Sequence, residues 1–243
     1  MNDDIKLVGY ADDSLADKAQ QLASQLAFLL EQHAARCLFV TAEKLTLKIP
    51  HFSLLSADFS VATWSKRRAE GKKQGLVRAC KPAAGVFILD ATAGWGRDAA
   101  VLASFGAQVL MLERHPVMAA LLADALTAQS EQDKAMLRLS LCHQQAATYL
   151  SQLSPEHYPD VIYVDPMHPE RHKSALVKKD LQALQQMIGA DLDAVELIQT
   201  AITRVKRRVV VKWPQKLAPL VRPDSSIDGK TVRFDIYLAK KSG

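Results

Sequence analysis

The sequence predicts an α/β fold, a mostly parallel sheet with helices on both faces, carrying a small N-terminal α+β extension. Three observations predict it. From residue 85 onward short apolar runs alternate with helix-like segments, and repeated βα units of this kind bury both faces of a parallel sheet. The first of these runs ends in an acid and feeds a glycine-rich turn, Asp90-Ala-Thr-Ala-Gly94-Trp95-Gly96-Arg97-Asp98. The first 81 residues follow another pattern, with several β-like segments around one amphipathic helix. The sequence therefore divides near residue 82, into an extension over 1–81 and an α/β domain over 82–243. A chain of 243 residues has room for one such domain and a smaller appendage.

Within the extension, KLVGY (6–10), RCLFV (36–40), LTLKI (45–49) and FSLLSADF (52–59) are strand candidates, with period-2 alternation clearest in LTLKI. Residues 14–32 carry a helical period, and Ser14 is placed to cap its first turn. The Lys/Arg-rich stretch 65–81, which contains Gly71 and Gly75, predicts an exposed helix or loop. In the α/β domain, strands are expected at 85–90, 107–112, 137–142, 160–165, 208–213 and 232–238. Helices are expected at 97–105, from Pro116, at 145–153, at 174–188 and at 191–204; proline is tolerated at a first helical position.

Thirty-one Lys and Arg against 26 Asp and Glu give a net charge of +5. Its distribution says more. Lys66, Arg67, Arg68, Lys72, Lys73, Arg78 and Lys81 face one acid, Glu70, and Arg204, Lys206, Arg207, Arg208, Lys212 and Lys216 form a second basic run. Clustered positive charge suits a polyanion, with Arg67 and Arg68 as candidate RNA contacts; a solvated basic face is the alternative. Cys37, Cys80 and Cys142 are too far apart for a metal site or disulfide framework, so reduced thiols and no metal are expected. No apolar run approaches a membrane span, and the acidic N-terminus lacks the apolar core of a secretory signal. A cytoplasmic protein with no membrane partner is the expectation.

The glycine-rich turn carries the first chemical signal. Gly94 and Gly96 permit a tight turn and close backbone approach to a ligand, and the following helix presents free N–H groups. Glu113 ends the second strand, placed to accept hydrogen bonds from two ribose hydroxyls. Together these describe a site for an adenosine-containing cofactor. Gly94-x-Gly96-x-x-Ala99 also fits the dinucleotide fingerprint, in which helix N–H groups meet a pyrophosphate. Asp90 and Asp98 flank the turn, however, and their charge suits a sulfonium and an α-amino group better than a pyrophosphate. That favours S-adenosylmethionine.

Asp165-Pro166-Met167-His168-Pro169 carries the second. Proline keeps the preceding residue extended, so the Asp165 carboxylate projects from a strand's carboxyl end, at the crevice where open α/β sheets bind ligands. A purine's exocyclic amine is a poor nucleophile. The Asp165 carboxylate and the Pro166 carbonyl can accept its two hydrogens and orient its lone pair, a gain of positioning and electrostatic complementarity. Lys173, Lys178 and Lys179 follow closely and are candidate phosphate contacts, with a solvated helix face as the alternative.

DATAGWGRDAAVLASFGAQVLMLERHPVMAALL, VIYVDPMHP, KSALVKK, RVVVKWP and RFDIY, in order over about residues 85–238, resemble the RsmJ (YhiQ) family of bacterial 16S rRNA guanine-N2 methyltransferases. The resemblance implies a class I S-adenosylmethionine-dependent methyltransferase fold, Rossmann-like, over 82–243. It implies S-adenosylmethionine as methyl donor and a guanine amine of 16S rRNA, in the small ribosomal subunit, as acceptor. By position it assigns cofactor contacts to Arg97, Asp98, Glu113, Arg114, Gln145, Ala146 and Asp165. The family often has a serine pair where Gln145-Ala146 stand, and phenylalanine where His168 stands, which would leave an imidazole to stack on the target base. Another nucleic-acid or protein amine methyltransferase, a NAD(P)-dependent oxidoreductase and a non-catalytic RNA-binding module are the rival readings.

Overall fold

A computed structural model describes residues 5–167 and 193–240, which form two compact units. The first takes residues 5–58 and 115–128, with 167; the second takes 59–114, 129–166 and 193–240. The segments 174–188 and 168–173 of the sequence reading lie outside the described residues.

The first unit is built on a four-stranded sheet in the order β2-β1-β3-β4, from β1 (Leu7–Tyr10), β2 (Leu29–Leu30), β3 (Cys37–Val40) and β4 (Leu45–Lys48). β1 runs parallel to β2 and β3, and β3 antiparallel to β4. Helix α1 (Ala16–Leu26) packs on β1, and the helix Pro116–Thr127 packs on β4, where Asp124 Oδ2 accepts the Leu45 N–H at 2.8 Å.

Three expectations for this region are corrected. The helix foreseen over 14–32 ends at Leu26, where Ala27 takes a left-handed conformation (φ 55°) and its N–H returns to Ala23 and Ser24. Leu29 and Leu30 then pair with β1, because tertiary pairing of an apolar segment overrides its helical period. Ser14 lies inside a short 3-10 turn that Asp12 caps by accepting the Ser14 N–H at 3.0 Å. FSLLSADF is no strand: only Leu55 bridges to Leu47, and Leu54 is exposed.

The stretch 65–81, expected as an exposed helix or loop, is largely helical. Helix α2 (Val61–Glu70) and helix α3 (Gly75–Cys80) flank a 3-10 turn. Trp64, Leu76, Val77, Ala79 and Cys80 are buried, while Lys66, Arg68, Lys72, Lys73, Arg78 and Lys81 face solvent. Gly75 is demanded by packing, since a Cβ there would stand 2.5 Å from the Phe234 ring.

The α/β series of the second unit is β5 (Phe87–Asp90), α4 (Arg97–Ala103), β6 (Gln108–Glu113), α6 (Glu131–Met136), β7 (Leu139–His143), α7 (Ala146–Ser151), β8 (Val161–Val164), α8 (Ala194–Thr203), β9 (Arg208–Pro214), β10 (Ser225–Asp228) and β11 (Val232–Leu238); α5, the helix Pro116–Thr127 of the first unit, falls between β6 and α6 in the chain. The seven strands order as β10-β11-β9-β8-β5-β6-β7. β9, β8, β5, β6 and β7 are mutually parallel, and β11 and β10 add antiparallel. The sequence reading had missed α6 and β10; both are short and polar, with little apolar periodicity to mark them.

Alternation along each strand splits the sheet into two faces. Leu89, Leu112, Ile162, Val164, Val209 and Val211 form one core with Leu150 of α7 and Leu197, Ile198, Ala201 and Ile202 of α8. Ile88, Met111, Tyr163 and Val210 point the other way, toward the side on which α3 and α4 pack. The central strands are nearly continuous Val, Ile and Leu, as parallel strands covered on both faces require.

A buried ion pair pins the chain just beyond β9. Arg233 Nε donates to Asp235 Oδ1 at 2.8 Å, and Arg233 Nη1 donates to the carbonyls of Pro214, Gln215 and Leu217. Asp235 is 1% exposed. Arg233→Met should therefore lower stability by about 3–5 kcal/mol, the cost of leaving a buried charge unpaired. Urea unfolding checks this, and Arg233→Met combined with Asp235→Leu should recover most of the loss.

Candidate active site

The carboxyl ends of β5 and β8 stand side by side where the strand order reverses, the position at which open α/β sheets bind ligands. The chain leaves β5 through the glycine-rich turn, and Gly94 (φ 53°) and Gly96 (φ 70°) are both left-handed, a conformation that favours glycine at each. Two ties hold it to its neighbours. Gly94 N donates to Glu113 Oε2 at 3.1 Å and Ala93 N to the Leu112 carbonyl at 3.2 Å, at the end of β6. Thr92 Oγ1 accepts the Asp165 N–H at 2.6 Å, at the end of β8.

Asp90 closes β5 and is 1% exposed, with Oδ1 accepting the Thr92 N–H at 3.1 Å. Burial, partly offset by that N–H and reinforced by the Asp98, Asp165 and Glu113 carboxylates, pushes its carboxyl up to about 8. Arg97 is the first residue of α4 and Asp98 the second, where an acid complements the helix N-terminus. Three donors converge on Asp98: Tyr163 OH at 2.6 Å and Lys212 Nζ at 3.2 Å on Oδ2, and Arg67 Nη1 at 2.7 Å on Oδ1. Burial opposes the charge of Asp98, but Lys212, Arg67 and the Tyr163 hydroxyl outweigh it and hold the carboxyl below the usual range. The same carboxylate, together with burial, drives the Tyr163 phenol well above its ordinary value.

Asp165 follows β8, with Pro166 buried behind it. Its Oδ2 accepts from Lys212 Nζ at 2.6 Å. Lys212 thus bridges Asp165 and Asp98; burial works against its charge, yet the two carboxylates raise its ammonium above the ordinary lysine range.

A second cluster joins the ends of β6 and β7. Arg114 Nη1 meets both oxygens of Asp193 at 3.1 and 2.9 Å, and Gln145 Nε2 donates to Asp193 Oδ2 at 3.1 Å. Burial opposes ionisation of Asp193, and Gln145 and Arg114 prevail, lowering its carboxyl. Ala146, next to Gln145, opens α7 and is buried.

The candidates thus fall into three groups. Asp90, Gly94, Gly96, Arg97, Asp98, Glu113 and Asp165 with Pro166 gather around the turn after β5; Arg114, Gln145 and Ala146 gather around Asp193. Arg67 reaches Asp98, while Arg68 is exposed with its guanidinium 6.0 Å from the Trp64 ring. His168, Lys173, Lys178 and Lys179 lie outside the described residues. Thr92, Tyr163 and Asp193 were not singled out by the sequence, and Lys212 only as a member of a basic run. Lys212 carried a readable signal: it shares its strand face with the buried Val210, so its charge had to find a partner. Among the described residues no group of three or more His, Cys, Asp or Glu is arranged to hold a metal ion, and no helix is long and apolar enough to cross a membrane.

The donor set discriminates between ligands. The Glu113 carboxylate and the buried Asp90 carboxyl at adjacent strand ends offer acceptors, and a cation beside Asp90 is favoured because it lets that carboxyl ionise. They fit ribose hydroxyls and a cationic group and would repel a pyrophosphate.

The raised Asp90 carboxyl has a measurable consequence. Its folded value of about 8 lies above its ordinary value of 3.8. Between these limits the folded protein holds a proton that the unfolded chain has released, so stability falls as pH rises through this window and levels off above it. Asp90→Asn cannot ionise. Its urea-unfolding free energy relative to the parent should increase steadily from pH 5 to pH 8 in the cofactor-free protein. Parallel pH profiles for the two proteins would contradict the assignment.

Comparison with known proteins resolves the cofactor question. Residues 21–239 match the SAM_MT family model, which describes SAM-dependent methyltransferases. The ribosomal RNA small subunit methyltransferase J of Legionella pneumophila (strain Corby) is 66% identical over 238 residues, covering 98% of each chain. That of Photorhabdus laumondii is 42% identical, covering 89% of this chain and 92% of its own. A crystal structure of a SAM-dependent methyltransferase from Neisseria gonorrhoeae superposes with a TM-score of 0.73 at 27% identity, over 98% of this chain and 97% of that one. The oxidoreductase alternative is set aside, and the methyl donor is S-adenosylmethionine. With its acid-ended strands, glycine turn and class I fold, the chain belongs to the SAM-dependent methyltransferase family that includes the ribosomal RNA small subunit methyltransferases J.

Proposed function

We propose that this enzyme transfers a methyl group from S-adenosylmethionine to the exocyclic N2 amine of a guanine in 16S rRNA of the small ribosomal subunit, in the cytoplasm. The observation that carries the reading is the Asp165-Pro166 segment at the carboxyl end of β8, tied through Thr92 to the turn after β5. In this reading its carboxylate orients the amine and the neighbouring turn receives the cofactor. The relatives named as ribosomal RNA small subunit methyltransferases support the substrate class.

In this reading Glu113 accepts the ribose hydroxyls, Gly94 and Gly96 let the backbone approach, and Asp90 faces the positive end of the cofactor. Arg97, Asp98, Arg114, Gln145 and Ala146 complete the pocket. The bound donor supplies an electrophilic methyl group. The Asp165 carboxylate and the Pro166 carbonyl accept the two amine hydrogens and direct the nitrogen lone pair toward it, so the residues act chiefly by positioning. His168 stacks on the base. Lys173, Lys178, Lys179, Arg67 and Arg68 serve the RNA backbone, Arg67 from its place beside Asp98. The segment 1–81 forms an extension to the methyltransferase domain 82–243 and adds RNA contacts.

Two substitutions test these roles. Glu113→Ala removes charge-assisted hydrogen bonds worth roughly 1.5–3 kcal/mol each, so the dissociation constant for S-adenosylmethionine should rise by an order of magnitude or more. An unchanged constant in calorimetry removes Glu113 from the cofactor pocket. Asp165→Asn keeps the shape but loses the charge, and turnover should fall on the order of 100-fold or more, the range for one preorganised electrostatic contact, with cofactor affinity falling less. Single-turnover transfer to small subunits lacking the modification, followed by mapping of N2-methylguanine, measures this. Turnover near the parent value, or methyl groups found on another atom, would refute the reading.

A further inference from the structure

We infer that Lys212 is a positioning residue for methyl transfer, holding the Asp165 carboxylate in place and ionised against the charge of its acidic neighbours. The inference rests on the reading of Asp165 as the group that orients the acceptor amine.

Strand register creates the pair. Val164 of β8 is the partner of Val211 of β9 in parallel alignment, so the next residue on each strand, Asp165 and Lys212, emerges at the same edge. Lys212 shares the face of Val210 and rises toward α4, where its Nζ stands 2.6 Å from Asp165 Oδ2 and 3.2 Å from Asp98 Oδ2. An ammonium on a valine-rich central strand is costly to bury unless it is paired, and here two carboxylates pair it.

Asp98 has Arg67 Nη1 and Tyr163 OH as further donors. Among the described residues Asp165 sits near Asp98 of α4, Asp90 of β5 and the Tyr163 phenol of β8, and the Lys212 ammonium of β9 is in direct contact with it; Arg67 of α2 lies beyond, on the other oxygen of Asp98. Adjacent negative charges drive a carboxyl toward protonation, and a contacting cation reverses this.

That matters to the reaction. As the N–C bond forms, the C–S bond breaks and its electron pair stays on sulfur. The nitrogen becomes cationic and its proton leaves to solvent. An ionised Asp165 accepts the amine hydrogen throughout, whereas a protonated one would present a donor to an N–H group. The Lys212 ammonium keeps the first state at working pH. It also keeps the carboxylate a weak base, which orients the amine without retaining its proton.

The test is the pH dependence of single-turnover methyl transfer to unmodified small subunits for the parent, Lys212→Met, Lys212→Arg and Asp165→Asn, each with a cofactor titration and a urea-unfolding curve. Lys212→Met should lower the rate at neutral pH about tenfold and move the acidic limb of its profile up by about one pH unit or more, the size expected for loss of a contacting charge. Its cofactor affinity should change less than about threefold, by the same charge argument, because Asp98 keeps Arg67 and Tyr163. Lys212→Arg should restore the limb. If Lys212→Met does not fold, Lys212→Gln takes its place.

A parent-like rate and limb in Lys212→Met, with Asp165→Asn inactive, would overturn the role of Lys212 and leave that of Asp165 standing. A slow Lys212→Met with an unmoved limb and much weaker cofactor binding would mean a purely structural lysine and would also overturn the inference. Full activity in Asp165→Asn would remove both.

Discussion

The ionised carboxylate of Asp98 is the interaction on which the site depends. It receives Tyr163 from β8, Lys212 from β9 and Arg67 from α2, so one side chain at the head of α4 connects two central strands with a helix that precedes the sheet in the chain. A buried carboxylate with three donors makes no large net contribution to stability, because its desolvation cancels much of the attraction. Its importance is geometric. Removing any one donor exposes an imbalance, so the strand ends and the start of α4 are held in one arrangement. The turn between β5 and α4 is caught between this point and the Gly94–Glu113 hydrogen bond.

Charge balance explains the composition of the sheet's carboxyl edge. Asp90, Asp98 and Asp165 interact across it, with Glu113 beyond. Asp98 and Asp165 are matched by cations within the protein. Among the described residues Asp90 is matched by a backbone N–H alone, and its carboxyl rises to about 8. The unbalanced acid marks where a cationic ligand brings the largest electrostatic gain. That is consistent with a family whose methyl donor carries a sulfonium. The Arg233–Asp235 pair serves the same edge more remotely, by fixing the chain that leaves β9 immediately beyond Lys212 and Trp213.

Most of the α/β series was legible because its signals are local. The central strands β5, β6 and β8 are mostly apolar and lie near glycine, proline and acid punctuation, and the turn Asp90–Asp98 combines two glycines with flanking carboxylates. The errors arose where pairing decided. Leu29 and Leu30 continue a helical period in sequence, yet the open edge of β1 takes them as a strand. The alternation in FSLLSADF has only Leu55 to pair with a neighbour, so no strand forms. Ser225–Asp228 carries no apolar run to mark it and forms a strand by pairing with the edge of β11.

By itself the sequence determined the central βα series, the glycine turn, the two acid-ended strands and the Asp-Pro segment, since each is set by residues adjacent in the chain. Tertiary structure alone decided which charges meet. Lys212 looked like one member of a basic run facing a polyanion, but parallel register sets it against Asp165 and strand alternation turns it toward Asp98. Arg67, a member of the other basic run, pairs with Asp98, while Asp193, unremarkable in sequence, gathers Arg114 and Gln145. The physical reason is range. Periodicity and turn chemistry act over a few residues, whereas a buried ion pair is chosen by which side chains the packed sheet leaves without water.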